Sequence, residues 1–470
     1  MRSEWATSQA LLLPVDTATP RRDALEEALR DAVRTGALRP GARLPSTRSL
    51  AADLGLARGT VTQAYEQLVA EGWLVARQGS GTVVADLPGS QPTHLAVQAL
   101  VPAEPRHDLR PGSPDVSAFP RVAWAAALRR VLRDAPDRVL RYGAPLGVPE
   151  LRAELATYVG RARGVRTVPE HIVVCSGWSQ ALRLVADVLR EQGVRVVALE
   201  DPCNAAYRTA VERTGIEVCP LPVDAEGADP RALVAARDVA AAVLTPAHQY
   251  PTGTTLAPVR RAAFVEWARA RDGLLLEDDY DGELRYDRQP VGALQGLDPE
   301  RVVYAGTVSK SLAPALRLAW MAVPARLIEP LQEAKRLTDR QTPALDQLAL
   351  ADLLASGTFD RHLRSMRARY RRRRDALVAV LHERTPELTV EGIAAGLHVV
   401  VRLPASGPSE AAVLRALDDA GVAVHGLSPY AHTRGRRLRG LVVGYGTPSE
   451  HAYPAAIAAL TSTLHTFLRS

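Results

Sequence analysis

Leu38-Arg-Pro-Gly-Ala-Arg-Leu-Pro-Ser46-Thr-Arg-Ser-Leu-Ala-Ala-Asp-Leu54-Gly-Leu-Ala-Arg58-Gly-Thr-Val-Thr-Gln-Ala-Tyr-Glu-Gln-Leu68 holds two short helical patterns around one break. Ser46 or Thr47 after Pro45 caps a helix that runs to Leu54, and Gly55 interrupts it. Val61, Ala64, Tyr65 and Leu68 then line one side of a further helix from Arg58 to Glu71. Upstream, Leu25, Leu29 and Val33 mark the apolar face of a first helix, which the segment Gly36 to Gly41 ends. Downstream, Gly72-Trp-Leu-Val75 and Thr82-Val-Val84 read as strands around Arg77-Gln-Gly-Ser-Gly81. Helix, helix-turn-helix and hairpin make a winged helix, an α+β unit assigned to residues 16–85.

Outward from this unit, residues 86–107 are rich in Pro, Ala and small polar residues without a sustained period, the composition of a linker. From residue 108 to 470 strand and helix patterns alternate: Ile172 to Cys175, a helix from Gln180, then Val194 to Leu199, Ala240 to Leu244, Leu274 to Leu276 and Val302 to Tyr304. Such alternation predicts an α/β unit with a mainly parallel sheet. A long arginine-studded helix after about Phe359 leads to a smaller C-terminal α/β subdomain, with strands at His398 to Val401 and Leu441 to Val443. The eight arginines between Arg361 and Arg374 read as the solvated face of a helix bridging the two lobes; a second DNA-facing surface is the sharper alternative.

A chain of 470 residues is too long for one core, and 47% hydrophobic against 23% charged residues excludes a disordered polymer. Three cysteines exclude a disulfide scaffold, and the apolar stretch Ala10 to Val15 is too short for a secretory signal, so the sequence is read as cytoplasmic. Net charge is +6, from 58 basic and 52 acidic residues. Lysine occurs only at Lys310 and Lys335; the other 56 basic residues are arginine. Arginine cannot act as a nucleophilic amine, so a retained lysine is a candidate for chemistry that needs one.

In a helix-turn-helix the start of the second helix enters the major groove while the preceding helix and wing hold the backbone. Here Arg48 opens one helix, Arg58, Thr60 and Thr62 open the next, and Arg77, Gln78 and Gly79 stand at the wing tip. Guanidinium groups fork onto guanine and hydroxyls bond phosphate. Residues 16–85 hold nine Arg against eight Asp or Glu, so any DNA surface is a focal patch.

Three clusters in the second unit carry chemistry. Thr307-Val-Ser309-Lys310-Ser, with Arg317 seven residues on, suits an amine that forms a Schiff base with an aldehyde whose phosphate Thr307, Ser309 and Arg317 grip. Glu277-Asp278-Asp279-Tyr280-Asp281 follows an apolar strand, where a carboxylate can hold a pyridinium nitrogen protonated. Ser176-Gly-Trp178-Ser179-Gln lies between a strand and a helix, whose first amides can take a phosphate.

Residues Leu38 to Leu68, with Glu71-Gly-Trp-Leu and Gly79-Ser-Gly-Thr, closely resemble the GntR-type winged helix. That resemblance implies DNA contacts from Arg48, Arg58, Thr60, Thr62 and Gly79; Gly59 departs from the more usual polar residue. The three clusters, with Tyr142-Gly-Ala-Pro-Leu-Gly, Leu151-Arg, Glu200-Asp-Pro and Thr245-Pro-Ala-His-Gln-Tyr-Pro-Thr-Gly253, resemble fold-type I aminotransferases that use pyridoxal 5'-phosphate. A GntR winged helix linked to such a unit resembles the MocR/GabR subfamily of transcription regulators.

The resemblance implies Lys310 as Schiff-base lysine, Asp278 at the pyridine nitrogen and Tyr280 near the ring hydroxyl. It places Trp178, Ser179, Thr307, Ser309 and Arg317 at the phosphate, Tyr142 across a homodimer interface, and Arg208 at an effector carboxylate. No metal is called for. Tyr250 stands where aminotransferases usually have the asparagine that bonds the ring hydroxyl, leaving that task to His248, Gln249 or Tyr280. Asn204 stands where an aromatic commonly stacks on the ring. Val442 occupies the place of the carboxylate-clamping arginine, for which Arg434, Arg436, Arg437 or Arg439 could substitute. These departures touch substrate handling more than cofactor anchoring. The leading expectation is a regulator that binds operator DNA and senses pyridoxal phosphate, alone or with an amino compound. The alternatives are an active aminotransferase with an accessory winged helix, and a regulator whose second unit is degenerate and empty.

Overall fold

The structure, a computed structural model, describes residues 21–77, 81–86, 104–286, 291–433 and 438–469. The chain divides into two compact units, with the boundary after residue 102. In the first, α1 (Arg21–Arg34), α2 (Thr47–Leu54) and α3 (Arg58–Ala70) precede the antiparallel strands β1 (Leu74–Arg77) and β2 (Gly81–Val84). Leu25, Leu29, Val33, Leu50, Val61, Ala64 and Leu68 meet in one core, each at most 4% exposed. Ser46 is the N-cap of α2, its hydroxyl accepting from Ser49 N at 3.1 Å. Gly55 closes the helix in the left-handed region, at φ +64°. Strand β1 starts two residues later than its sequence pattern suggests. Gly72 has φ +82° and Trp73 N bonds Leu68 O, so both residues belong to the turn that leaves α3.

The second unit is built on a sheet of eight strands among the described residues: β3 (Ile172–Cys175), β4 (Val196–Asp201), β5 (Glu217–Asp224), β6 (Gly227–Ala228), β7 (Val239–Leu244), β8 (Leu274–Asp279), β9 (Val302–Thr307) and β10 (Ala319–Ala322). Their spatial order is β3-β10-β9-β8-β7-β4-β5-β6. The central run from β9 to β5 is parallel, and β10 is antiparallel to both neighbours. Strands β8 and β9 are buried at every residue, including the three carboxylates Glu277, Asp278 and Asp279 that end β8.

Around this sheet lie α4 (Trp178–Glu191), α5 (Ala205–Glu212) and α6 (Ile328–Thr338), and the 27-residue α7 (Thr358–Arg384) leads away to the smaller lobe. Helix α4 begins at Trp178 rather than Gln180, because Gly177, at φ +134°, turns the chain directly out of β3. The lobe has strands β11 (Thr389–Glu391), β12 (His398–Arg402), β13 (His425–Gly426) and β14 (Gly440–Gly444) in the order β11-β12-β14-β13. His107 and Asp108 pair with Val422 and Ala423, so the second unit starts no later than His107.

The arginine run on α7 has two characters. Arg361, Arg364, Arg367, Arg371 and Arg372 are exposed, in keeping with a solvated face. Arg373, by contrast, is 3% exposed and donates to Asp115 at 2.9 Å, Glu450 at 2.9 Å and the Pro448 carbonyl at 2.8 Å. One member of the run is therefore a buried tie between distant segments.

Candidate functional site

Side chains alternate across a strand, and that alternation sorts the carboxylates of β8. Glu277 and Asp279 share the face of Leu275. Glu277 accepts from the amides of Leu294 and Gln295 at 2.8 and 3.0 Å. Asp279 accepts from Arg163 at 2.6 and 3.1 Å and from the Tyr304 hydroxyl at 2.9 Å. Both are spent on structure. Asp278 takes the opposite face, where the Tyr207 hydroxyl donates to it at 3.1 Å. Burial pushes its carboxyl well above the usual carboxylate range; Tyr207 and the nearby Lys310 ammonium oppose that rise.

The C-terminal ends of β8 and β9 open onto a cavity of about 350 Å³, where open α/β sheets place ligands. Lys310, Arg317, Thr307, Ser309, Trp178, Ser179 and Tyr280 line it. Lys310 Nζ donates to the Gly112 carbonyl. Burial lowers its ammonium pKa, while Asp278 and Asp281 act against that shift. Thr307 Oγ1 lies 2.9 Å from Ser309 Oγ and accepts from Ser309 N at 3.1 Å. Arg317 sits in the left-handed region at φ +50° and lays its guanidinium over Gly177. A Cβ on Gly177 would displace that guanidinium, and the backbone angle itself is one that glycine alone adopts readily. Among the described residues, the first turn of α4 has no side-chain cap and the buried indole Nε1 of Trp178 has no hydrogen-bond partner.

Tyr280 reaches His248 Nδ1 at 3.1 Å, and the same nitrogen lies 2.8 Å from Asp281. His248 is 2% exposed and supports two cavity residues without being among those that line it. Tyr142 is 79% exposed and stacks under Arg340 at 4.3 Å, outside the cavity of its own chain. Arg208 also stays outside the cavity, 3.9 Å from Glu212. Arg439 is engaged by the carbonyls of Ala405 and Pro408 at 2.6 and 2.7 Å, and Val442 is sealed in an apolar cluster with Val400, Leu427 and Tyr430. Arg434, Arg436 and Arg437 lie outside the described residues.

In the first unit Arg48 and Arg58 are exposed at the starts of α2 and α3, with Thr60 and Thr62 half-buried beside them. Thr62 spends its hydroxyl proton on the Arg58 carbonyl at 3.0 Å. Gly79 lies outside the described residues.

The family of gntR bacterial regulatory proteins matches residues 21–84, and the aminotransferase class I and II family matches residues 109–443. The probable rhizopine catabolism regulatory protein MocR of Rhizobium meliloti is 33% identical over 83% of this chain and 83% of its own. The HTH-type pyridoxine biosynthesis transcriptional regulator PdxR of Corynebacterium glutamicum is 34% identical over 94% of this chain and 95% of its own. The chain belongs to the MocR/GabR subfamily. It is a transcription regulator in which a DNA-binding winged helix precedes an aminotransferase-like unit. Among solved structures, an archaeal alanine:glyoxylate aminotransferase superposes with a TM-score of 0.71 at 26% identity, over 77% of this chain and 90% of that one.

For a MocR-type chain the cavity holds residues that sequence reasoning did not single out as site residues. Tyr207, Asp281, His398, His425 and Tyr430 all line it. Tyr250 Oη lies 2.9 Å from Tyr430 Oη, which lies 2.9 Å from His425 Nδ1, giving one wall a run of hydroxyl and imidazole groups. Tyr207 lies one helical turn from Asn204 on α5, a spacing that was open to inspection. Tyr430 and His425 come from the other lobe, and no local pattern ties them to the cavity.

Proposed function

We propose that this regulator holds pyridoxal 5'-phosphate on Lys310 and that the occupied site, alone or with an amino compound, sets how the winged helix engages operator DNA. The observation that carries the reading is the grouping at the ends of β8 and β9: an amine, a hydroxyl pair and an arginine on one cavity, with Asp278 selected from the acidic run by strand alternation. These residues fit the cofactor. Bound there, pyridoxal phosphate would supply an aldehyde to the Lys310 amine and a ring that responds to an amino compound.

The chain's own part is positional and electrostatic. The lowered pKa of Lys310 raises the share of neutral, nucleophilic amine. Asp278, held by Tyr207, presents a carboxylate whose desolvation a ring cation would offset. Arg317, Thr307, Ser309 and the Trp178 and Ser179 amides would take the phosphate, and Trp178 Nε1 brings a donor still in need of an acceptor. Tyr280, backed by His248, would meet the ring hydroxyl. Tyr142, exposed on its own chain and covered on one face by Arg340, would serve the site of a second copy in a homodimer. Arg208, outside the cavity, is the proposed contact for an effector carboxylate.

For DNA, Arg48, Arg58, Thr60, Thr62 and Gly79 are the proposed contacts, within a DNA-binding unit of residues 16–85 joined, by a linker that starts at residue 86 and ends before His107, to the effector unit that runs to residue 470. PdxR, the relative 34% identical, carries pyridoxine biosynthesis in its name, which supports a vitamin B6 compound as the signal. The apolar surroundings of Val442 and the engaged guanidinium of Arg439 support sensing over efficient turnover.

Absorbance spectroscopy of the full chain with pyridoxal phosphate, beside Lys310→Ala, is the test. A band at the visible edge that only the native chain acquires, followed by cofactor-dependent binding to DNA from its own upstream region, is the expected result. Cofactor uptake with no sequence-preferring DNA binding, or steady multiple-turnover transamination of a common amino donor, would overturn it.

A further inference from the structure

The second of the chain's two lysines lies outside the cavity and is used in an unusual way. Lys335 on α6 is 0% exposed. Its three ammonium protons match three acceptors: Asp339 Oδ1 at 2.9 Å, Asp339 Oδ2 at 2.8 Å and Thr342 Oγ1 at 3.1 Å. The same Asp339 Oδ2 accepts from Gln180 Nε2 at 2.7 Å. Gln180 in turn turns its Oε1 to Ser176, accepting from the backbone amide at 2.7 Å and from the hydroxyl at 3.1 Å. A buried cation is thus linked, through one carboxylate and one amide, to the turn between β3 and α4 where the phosphate is placed.

The other side of the network is equally defined. Between Asp339 and Thr342, the two partners of Lys335, stand Arg340 and Gln341. Arg340 covers the Tyr142 ring, and Gln341 Oε1 accepts from the Gly143 amide. Arg340 has φ +63°, so the segment bends sharply around the ammonium. Arginine could not replace this lysine: one nitrogen with three diverging protons fills a closed site, where a planar guanidinium would need a wider, fork-shaped set of acceptors.

We infer that Lys335 is a positioning residue for the phosphate-binding turn, fixing Ser176 to Gln180 through Asp339 while holding the segment that braces Tyr142. The scarcity of lysine in the chain then has one explanation at each of its two positions: a reactive amine at Lys310 and a compact, fully bonded cation at Lys335. This inference rests on the cofactor reading given above, and its test separates the two.

Equilibrium binding of pyridoxal 5'-phosphate and of unphosphorylated pyridoxal is compared in the full-length wild type, Lys335→Met and Gln180→Leu. The expected result is a loss of at least about tenfold in preference for the phosphorylated form in both variants, the size found when an outer-shell partner of a metal ligand is removed, with pyridoxal affinity little changed. Gln180→Leu leaves the Lys335 and Asp339 pair intact, so it carries the test if Lys335→Met fails to fold. Wild-type preference in folded Gln180→Leu, or a parallel loss for both ligands in either variant, would overturn the inference while leaving the cofactor reading in place. A wild type that binds neither ligand would remove both.

Discussion

Arg48 and Arg58 stand exposed at the starts of two helices, whereas Arg163 and Arg373 are sealed inside the second unit against carboxylates and carbonyls. The same side chain serves two purposes because burial changes what an unpaired charge costs. At the surface a guanidinium waits for a partner at little expense to the fold. Inside, a guanidinium without its carboxylate is strongly destabilising, so each is met before any ligand arrives.

Removing a buried partner should show the largest difference. Arg163→Ala leaves Asp279 beside Glu283 without its cation and should destabilise the second unit by about 3–5 kcal/mol, read by chemical denaturation. A change below 1 kcal/mol would sink the distinction between the two classes of arginine.

Arg48→Ala and Arg58→Ala should each weaken sequence-specific DNA binding by about 1–3 kcal/mol while thermal stability stays near that of the wild type. If either melts early without losing DNA affinity, that residue belongs with the structural arginines.

Histidine tests the same rule by titration. His398 is 4% exposed, donates from Nε2 to the Pro251 carbonyl at 3.0 Å, and is pushed down to about 3, first by burial and then by His248. Its folded pKa lies below its unfolded value near 6.5, so the unfolded chain binds the proton more readily. The stability tied to a neutral His398 is complete above about pH 6.5 and is lost as pH falls toward 3, with a slope of at most about 1.4 kcal/mol per pH unit. His398→Gln should flatten that acid limb; an unchanged slope in the variant would exclude His398 as its source.

The smallest effect belongs to the first unit's scaffold. Ser46→Ala removes the N-cap of α2 and should cost about 1 kcal/mol, measured as a shift in the midpoint of the winged helix's own transition. A larger loss would mean that Ser46 does more than accept from Ser49.

Much of this was legible in the sequence because it rests on local rules. The winged helix follows from caps, breaks and a helical stripe within about 65 residues, and Lys310, Thr307, Ser309 and Arg317 lie within eleven residues of one another. The strand at Leu274 was readable as far as Leu276, but a run of carboxylates resembles a loop until Arg163, 116 residues away from Asp279, supplies the charge that lets the strand continue. Tyr430, His425 and His398 reach the cavity from a separate lobe, and Lys335 acts through residues that only folding brings beside Ser176. Pairings set by distant segments leave no periodic trace in the chain.

The clasp around Arg373 also has a consequence for biosynthesis. Its acceptors come from Asp115, 258 positions before it, and from Tyr445 to Glu450 near the end of the second unit. On a ribosome the winged helix, whose contacts are local, can complete its fold while most of the second unit is still untranslated. The clasp must wait until residue 450 has emerged. A nascent chain therefore displays a finished DNA-binding unit well before its aminotransferase-like unit can close.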